Sequence, residues 1–275
     1  MNHLFNIKGY VVAITGGTGV LGRTIAKYLA QEGAQVIILG RNIEMGQHIV
    51  ADIKKSGGAC EFLATDVMNQ DKVKANCDAI VDKYGRVDTL LNAAGGNQKG
   101  ATIAPDQTFF DLDANQFQNV LNLNLTGTVI PTQVFLRPMV EQGKGSIINF
   151  SSMAAFRPMT RVCGYAAAKA GISNFTAYMA TECAKKFGEG IRVNAIAPGF
   201  FITEQRTRIV VTELEDGSTV ETEEVYTATV PLSLAAAYEN LAAKLGRAVT
   251  DEDKENAAHI YTMIAGNANG SDGTG

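Results

Sequence analysis

Short apolar runs alternate with amphipathic stretches along the first two-thirds of the chain. The apolar runs are rich in β-branched residues and nearly continuous, which is typical of strands buried on both faces of a parallel sheet. They predict strands over residues 10–15, 35–39, 60–64, 89–92, 146–151 and 191–197. The stretches between them predict helices over residues 20–32, 43–56, 69–84, 114–142 and 164–187. This alternation indicates an α/β fold with a single doubly wound parallel sheet of six strands.

The pattern changes after Pro198-Gly199. Residues 209–214 and 219–222 flank an Asp-Gly turn signal and predict a hairpin, and residues 231–245 predict an Ala-rich helix. No Pro-, Gly- or Ser-rich linker separates the strand–helix units. We therefore expect one catalytic domain over residues 1–275, with residues 200–245 inserted as a lid over the substrate. A surface excursion without a role in binding is the alternative.

Composition and charge exclude several classes of protein. Hydrophobic residues make up 46% and charged residues 19% of the 275 residues, which excludes a disordered chain. The net charge of -4 argues against a nucleic-acid-binding surface. The first apolar stretch is too short for a signal peptide or a membrane span of about 20 residues, so we expect a cytoplasmic protein without membrane association. His3, His48 and His259 lie far apart, and we predict no metal site.

A glycine-rich loop follows the first predicted strand. Gly17, Gly19 and Gly22 satisfy the pattern G-x-G-x-x-G between a strand and a helix, where a pyrophosphate can approach the helix N-terminus. We therefore predict a dinucleotide site at this loop. No Gly-Lys-Ser or Gly-Lys-Thr follows the loop, which disfavours a nucleoside-triphosphate hydrolase.

The end of the second predicted strand bears on the choice of cofactor. The sequence there is Gly40-Arg41-Asn42, whereas a site that prefers NAD usually has an acidic residue to bind the ribose 2′-hydroxyl. An arginine suits the 2′-phosphate of NADP. We therefore favour NADP over NAD as the cofactor. An Arg41 that stacks on adenine or is merely solvated is the alternative.

A tyrosine and a lysine are spaced for proton-transfer chemistry. Tyr165 and Lys169 lie at i and i+4 near the start of a predicted helix, so they share one helix face. Ser152 follows the fifth predicted strand, where a parallel sheet presents its carboxyl ends to the ligand crevice. A phenol of pKa about 10 is a poor base near neutral pH unless a neighbouring cation stabilises the phenolate. Lys169 supplies that cation.

These motifs, in this order, resemble the short-chain dehydrogenase/reductase family. The resemblance rests on Thr15-Gly16 with the glycine loop, Asp66-Val67, Asn92-Ala93-Ala94-Gly95, Asn124, Ser152, Tyr165 with Lys169, and Pro198-Gly199. It implies an NAD(P)-dependent oxidoreductase in which Tyr165 is the general acid/base. It further implies that Lys169 lowers the pKa of that phenol and binds the nicotinamide ribose, that Ser152 binds the reacting oxygen, and that Asn124 anchors a proton relay.

The resemblance also implies a set of cofactor contacts. They are Thr15, Gly16, Gly17, Thr18, Gly19, Val20, Leu21, Gly22, Arg41, Asn42, Asp66, Val67, Asn92, Ala93, Ala94, Gly95, Tyr165, Lys169, Pro198, Gly199, Phe201 and Thr203. Val20 stands where the family has a glycine, and Gly19 lies one place earlier. After Gly273-Thr274-Gly275 the family would continue into a seventh strand at the sheet edge, so we expect six strands without it. We expect a homodimer or a homotetramer.

A narrower resemblance concerns the substrate. Residues 104–112, 131–135, 156–161 and 199–205 are similar to the sugar-acid branch of the family, of the D-mannonate oxidoreductase or fructuronate reductase type. A guanidinium binds a carboxylate through two hydrogen bonds, so Arg157 and Arg161, between Ser152 and Tyr165, are candidate substrate contacts. Gly96 and Asn97 are further candidates.

Three alternatives stay open at this point. The two arginines could instead hold a loop or a subunit interface. The substrate of a ketoreductase with this sequence could be a different carbonyl compound. A non-catalytic dinucleotide-binding scaffold of the same fold is the rival from another functional class, although Ser152, Tyr165 and Lys169 are all present.

Overall fold

Six strands form one parallel sheet. The computed structural model describes residues 6–199, 207–213 and 219–225. The six strands are β1 (Val11–Thr15), β2 (Gln35–Gly40), β3 (Ala59–Ala64), β4 (Thr89–Asn92), β5 (Gly145–Phe150) and β6 (Ile191–Ile196). Their order across the sheet is β3-β2-β1-β4-β5-β6, and all neighbours are parallel. The predicted doubly wound sheet of six strands is confirmed, and its strand order reverses between β1 and β4.

Helices cover both faces of the sheet. They are α1 (Val20–Gln31), α2 (Ile43–Lys55), α3 (Gln70–Tyr84), α4 (Ala114–Leu121), α5 (Gly127–Glu141) and α6 (Cys163–Phe187). One core joins the sheet to α1 and α2, and the other joins it to α3, α5 and α6. The chain thus forms the three-layer arrangement that its alternating pattern predicts.

The central strand shows why the predicted strands are nearly continuous apolar runs. All five residues of β1 are buried. Val12 and Ile14 belong to the core on the α1–α2 side, whereas Val11 and Ala13 belong to the opposite core. Because successive side chains of a strand point to opposite faces, a sheet covered on both sides needs apolar residues at every position.

Side-chain caps fix where the helices begin. Asn42 Oδ1 accepts a hydrogen bond from the Met45 N–H at 3.0 Å, and Asn69 Oδ1 accepts one from the Lys72 N–H at 2.9 Å. Asp113 Oδ1 caps α4 by accepting from the N–H groups of Asn115 and Gln116. Each cap supplies a partner to amide groups that the first helical turn leaves without one.

The predicted helix over residues 114–142 is not continuous. A π-helical turn over Asn122–Thr126 separates α4 from α5. In such a turn the N–H groups bond five residues back, so carbonyls of the preceding turn lose their usual donors. The Asn124 Nδ2 group donates to the Val120 carbonyl oxygen at 2.9 Å and supplies one such donor. Apolar periodicity is too coarse to show this change, and the prediction of one uninterrupted helix was wrong here.

The chain divides into two units, residues 1–201 and 202–275. In the second unit, β7 (Thr207–Glu213) pairs antiparallel with β8 (Thr219–Val225), which confirms the predicted hairpin. The predicted cofactor contacts Phe201 and Thr203 and the predicted helix over residues 231–245 lie outside the described residues. One domain with an inserted lid stays a prediction. Within the described residues, no helix is both long and apolar enough to cross a membrane.

A buried aspartate ties β4 to β1 and allows a test of the fold. Asp88 is 4% exposed, and its Oδ2 atom accepts the Val11 N–H at 2.8 Å while Oδ1 accepts the Arg86 Nε–H at 3.0 Å. Asp88→Ala leaves a buried N–H without its acceptor, so we expect the free energy of unfolding to fall by about 2–3 kcal/mol. Urea unfolding followed by far-ultraviolet circular dichroism measures this, since the chain has no tryptophan.

The matched control is Asp78→Ala. Asp78 forms an exposed i,i+4 ion pair with Lys74, and such pairs contribute little to stability. We expect its unfolding midpoint to stay close to that of the wild type. An equal loss of stability in both variants would contradict the role assigned to Asp88.

Candidate active site

The candidate site lies at the carboxyl ends of the strands, beside the point where the strand order reverses. In doubly wound sheets a crevice opens at this position because the connections on its two sides run in opposite directions. A cavity of about 280 Å³ occupies it. The cavity brings together four of the predicted cofactor-binding groups: the loop at Gly16, Thr18 and Gly19, the pair Arg41 and Asn42, the pair Asp66 and Val67, and the stretch Ala93–Gly95.

Close backbone approach explains two of the loop glycines. Gly16 has a φ of 66°, and a Cβ atom there would lie 2.6 Å from the Ala94 backbone. A Cβ atom on Gly22 would lie 2.4 Å from the Gly16 carbonyl oxygen. A side chain at position 16 would therefore push the glycine loop away from the Ala93–Ala94 backbone, and one at position 22 would push α1 away from the glycine loop.

The first turn of α1 faces this loop without a side-chain cap. Gly19 is the N-cap residue and has no side chain that could accept from the amides of the first turn. Its own N–H donates to the Gly16 carbonyl oxygen at 2.9 Å. Amide groups left this way at a helix N-terminus form a natural phosphate site. Thus the cavity, the glycine approach and this helix end together fit a dinucleotide, although Val20 departs from the family's glycine.

The remaining lining residues differ in how they meet the cavity. Arg41, Asn42 and Asp66 are exposed, while Val67 is buried. Asp66 Oδ1 accepts the Met68 N–H at 3.0 Å, which orders the loop after β3. Leu39, Gly40, Thr65 and Leu123 also line the cavity. Sequence reasoning missed them. Gly40 and Thr65 each directly follow a predicted strand and could have been inferred from that position.

The Asn92 side chain does not line the cavity. It points into the interior, where its Nδ2 group donates to Thr132 Oγ1 and to Asn149 Oδ1, both at 2.9 Å. Asn149 in turn donates to Thr176 Oγ1 at 2.9 Å. Asn92 therefore anchors the end of β4, just before the stretch Ala93–Gly95, through a buried polar network that connects β4, β5, α5 and α6. The asparagine within the apolar run of β5 was a signal for this network that sequence reasoning missed.

A buried lysine lies beside the candidate catalytic tyrosine. Lys169 is 5% exposed, and its Nζ atom lies 5.5 Å from the centroid of the Tyr165 ring. Nζ also donates to the Phe150 carbonyl oxygen, at the end of β5, at 2.7 Å. Burial lowers the pKa of Lys169 from 10.5 to about 8, because a charged amine loses hydration in the interior. The i and i+4 spacing predicted from the sequence is thus realised on α6.

The end of β5 also carries two serines with different roles. Ser152 is buried, and its Oγ atom accepts the Ala154 N–H at 3.2 Å at the start of a short 3₁₀ turn. Ser151 Oγ donates to the Lys169 carbonyl oxygen at 3.1 Å and lies 2.6 Å from Ser173 Oγ. Ser151 therefore holds α6 against β5, and sequence reasoning missed this contact.

Asn124 binds the backbone of the loop after β4. Its Oδ1 atom accepts the Gly96 N–H at 3.0 Å, and its Nδ2 group donates to the Gly96 carbonyl oxygen at 2.8 Å. A Cβ atom on Gly95 would lie 2.5 Å from Asn124 Oδ1 and 3.5 Å from Lys169 Nζ. Asn124 Oδ1 and Lys169 Nζ thus both lie close to Gly95; the proton relay that the resemblance implies for Asn124 stays a prediction.

The predicted substrate contacts are placed in different ways. The backbone of Gly96 is occupied by Asn124, and Asn97 Nδ2 donates to Thr102 Oγ1 at 2.5 Å. Arg157 is half-buried, and its backbone N–H donates to the Met153 carbonyl oxygen at 3.0 Å. Arg161 Nε donates to the Ile103 carbonyl oxygen at 2.6 Å. The contact that sequence reasoning gave as an alternative, an arginine holding a loop, is therefore present at Arg161.

Pro198 and Gly199 lie next to the turn that follows Ser152. The Met153 N–H donates to the Pro198 carbonyl oxygen at 3.0 Å, and a Cβ atom on Gly199 would lie 3.9 Å from Met153. The residues that follow β6 thus contact the turn that follows Ser152. In the part of the chain that the structure describes, no group of three or more potential ligands could hold a metal ion.

Comparisons with known proteins agree with this geometry. The family model for the short chain dehydrogenases matches residues 10–213. The chain therefore belongs to the short-chain dehydrogenase/reductase family and is an oxidoreductase. It is 40% identical over 216 residues to an uncharacterized oxidoreductase of Bacillus subtilis, UxuB, covering 76% of this chain and 77% of that protein.

Two further relatives differ in the activity that their names state. A Haemophilus influenza protein with the provisional name D-mannonate oxidoreductase, solved with bound NAD, is 40% identical with a TM-score of 0.68, covering 73% of this chain and 74% of that one. A 3-oxoacyl-[acyl-carrier-protein] reductase of Chlamydia pneumoniae is 35% identical over 198 residues, covering 72% of this chain and 76% of that protein. Similar chains thus carry names for different carbonyl substrates.

The lowered pKa of Lys169 leads to a stability prediction. Between about pH 8 and pH 10.5 the unfolded chain binds a proton at this lysine that the folded chain does not. Stability of the wild type therefore rises with pH through this window, and below pH 8 this contribution is flat. Relative to Lys169→Met, we expect the wild type to gain up to about 3 kcal/mol across the window, measured by urea unfolding at a series of pH values.

The control for this series is Lys185→Met. Lys185 is an exposed lysine in the last turn of the same helix. The difference in free energy of unfolding between the wild type and Lys169→Met should depend on pH, and the difference between the wild type and Lys185→Met should not. If the first difference does not change with pH, or if both change equally, Lys169 is not the source of the pH-dependent stability.

Proposed function

We propose that the chain interconverts a carbonyl compound and its alcohol, using a nicotinamide dinucleotide, with Tyr165 as the general acid/base. The observation that carries this proposal is the buried Lys169 ammonium, 5.5 Å from the Tyr165 ring centroid at the carboxyl end of β5. In the direction of reduction, the carbonyl carbon gains a hydride and its oxygen gains a proton, giving NAD(P)⁺ and the alcohol. The cofactor supplies the hydride.

The residues of the chain account for the proton. Tyr165 donates it to the substrate oxygen as negative charge develops there, and Lys169 stabilises the phenolate that remains. The Ser152 hydroxyl donates a hydrogen bond to the same oxygen. Asn124 keeps Gly96 and the cofactor loop in register with Lys169 through its two hydrogen bonds to Gly96.

The substrate that we propose is a small sugar acid of the fructuronate or mannonate type. Two observations support it: the provisional name of the Haemophilus influenza protein, which is 40% identical to this chain, and the two arginines Arg157 and Arg161 on the segment between Ser152 and Tyr165. A guanidinium near the reacting carbonyl suits a substrate that carries a carboxylate. Cytoplasmic location and a homodimer or homotetramer remain predictions from the sequence.

For the cofactor we propose a preference for NADP(H) over NAD(H). Support comes from the exposed Arg41 at the edge of the cavity, where β2 ends without an acidic side chain. The NAD bound in the Haemophilus influenza protein supports the opposite preference. The position of Arg41 makes the two cofactors distinguishable by mutation.

The first test removes the phenol. We expect Tyr165→Phe to lower kcat at least about 100-fold, because proton transfer by a positioned group contributes about 10²–10⁴-fold. Binding of the reduced cofactor, followed by its fluorescence, should stay within a few-fold of the wild type. The matched control is Tyr178→Phe, which removes a phenol that is 60% exposed on the same helix.

The assay uses D-fructuronate with NADH and NADPH at neutral pH, beside a 3-oxoacyl thioester. Full turnover by Tyr165→Phe would overturn the assigned role. A wild type that binds the cofactor and turns over neither substrate would favour a non-catalytic scaffold. Faster turnover of the thioester than of fructuronate would overturn the sugar-acid assignment.

The second test addresses Arg41. An ion pair with the 2′-phosphate is lost in Arg41→Ala, so we expect the KM for NADPH to rise about tenfold while the KM for NADH changes less than about twofold. Steady-state kinetics with both cofactors measure the two values. A wild type that prefers NADH, or an equal change for both cofactors, would contradict the proposed preference.

A further inference from the structure

A second cavity lies outside the dinucleotide cleft. It has a volume of about 530 Å³ and is formed by the segment after β4 together with the loop that precedes α6. Its charged lining residues are Lys99, Asp111 and Arg161, and Thr102 and Gln107 add polar groups. The two cations and one carboxylate leave a net charge of +1 at this cavity.

Arg161 has an unusual backbone conformation at the wall of this cavity. Among the described residues it is the one non-glycine residue with a positive φ, 72°. A residue with a Cβ atom is strained in this region, and such strain is concentrated at binding sites. Two hydrogen bonds hold the conformation: the Ile103 N–H donates to the Arg161 carbonyl oxygen at 3.0 Å, and Arg161 Nε donates to the Ile103 carbonyl oxygen at 2.6 Å.

These bonds also orient the guanidinium. Because Nε is held by Ile103, the two Nη groups are left as a planar pair of donors, and the described part of the chain gives them no partner. Lys99 likewise forms no ion pair within the described residues. Asp111 is different, since its Oδ2 atom accepts from both the N–H and the hydroxyl of Thr108. The two cations are thus available to a ligand, whereas the Asp111 carboxylate is hydrogen-bonded to Thr108.

Both walls of the cavity come from segments that adjoin the candidate active site along the chain. Arg161 precedes Tyr165 by four residues, so their Cα atoms lie at most about 14 Å apart. Lys99 follows Gly96 by three residues, and Gly96 is bonded to Asn124. A substrate with its carbonyl at Tyr165 and its acidic end at Arg161 would have to span the distance between these two side chains.

We infer that this cavity is the subsite for the acidic end of the substrate, with Arg161 binding a carboxylate through its Nη pair and Lys99 supplying the second cation. The inference rests on the proposed function, since it assumes that an acid is the substrate. The inference assigns carboxylate binding to Arg161 and not to Arg157, because Arg161 lines the cavity and Arg157 does not. It also assigns Lys99 a role in charge recognition.

The test measures kcat and KM for D-fructuronate and for the neutral ketose D-fructose in five proteins: the wild type, Lys99→Gln, Arg161→Gly, Arg161→Lys and the control Lys55→Gln. Arg161→Gly removes the guanidinium and keeps a residue that accepts a positive φ. Arg161→Lys keeps the charge and loses the planar pair of donors. Lys55 is exposed at the end of α2, so its variant controls for the loss of one surface charge.

We expect the KM for fructuronate to rise about 10- to 100-fold in Arg161→Gly and about 3- to 10-fold in Lys99→Gln and Arg161→Lys, as for the loss of a charged hydrogen bond. The kcat for fructuronate and the kinetics with fructose should change less than about twofold, because the proton-transfer groups are untouched. The KM of the wild type should also rise with salt, and this dependence should weaken in Lys99→Gln.

The outcomes separate the inference from the proposed function. If the wild type reduces fructuronate but Arg161→Gly and Lys99→Gln keep its KM, the subsite is wrong and the sugar-acid proposal stands. If the variants lose kcat for both substrates equally, the loops act on catalysis and the subsite is again wrong. If the wild type does not prefer fructuronate to fructose, the sugar-acid proposal fails and the subsite fails with it.

Discussion

The attachment of α6 to the end of β5 is the constraint on which the candidate active site depends. Three consecutive residues of the chain take part: Asn149 bonds to Thr176, the Phe150 carbonyl accepts from Lys169 Nζ, and Ser151 bonds to the Lys169 carbonyl and to Ser173. Because these contacts run along the strand and along the helix, they fix both the rotation and the axial position of α6. Lys169 is thereby fixed at the end of β5, and the Tyr165 ring lies beside it with its centroid 5.5 Å from Nζ.

The same attachment makes the burial of Lys169 tolerable. An ammonium group removed from water loses hydration, and a backbone carbonyl returns only part of what water supplied. The lowered pKa of Lys169, about 8, is the measure of that shortfall. An ammonium with unsatisfied hydrogen-bonding capacity interacts strongly with any anion placed near it, including a phenolate. The incomplete hydrogen bonding of the buried ammonium therefore both destabilises the charged lysine and strengthens its interaction with a phenolate.

Sequence alone predicted the sheet and the oxidoreductase class, because both follow from local patterns. Four of the five residues of β1 are apolar and all five are buried, and Tyr165 and Lys169 share a helix face by their spacing. Contacts between distant residues were not accessible: Arg161 and Ile103 are 58 positions apart, and nothing in either segment indicates their two hydrogen bonds. The inward direction of Asn92 could not be predicted either, since a polar residue at the end of a strand can face the ligand crevice or the core.

The π-helical turn at Asn122–Thr126 makes the site sensitive to chain length. It accommodates one more residue than an α-helical turn would, so α4 is rotated relative to α5 by about 100° compared with a continuous helix. Loss of a single residue there would let the two helices merge, and Asn124 would leave Gly96 even though no side chain at the site had been replaced. In this family member the number of residues between Asp113 and Glu141 is thus as much a part of the site as their identity.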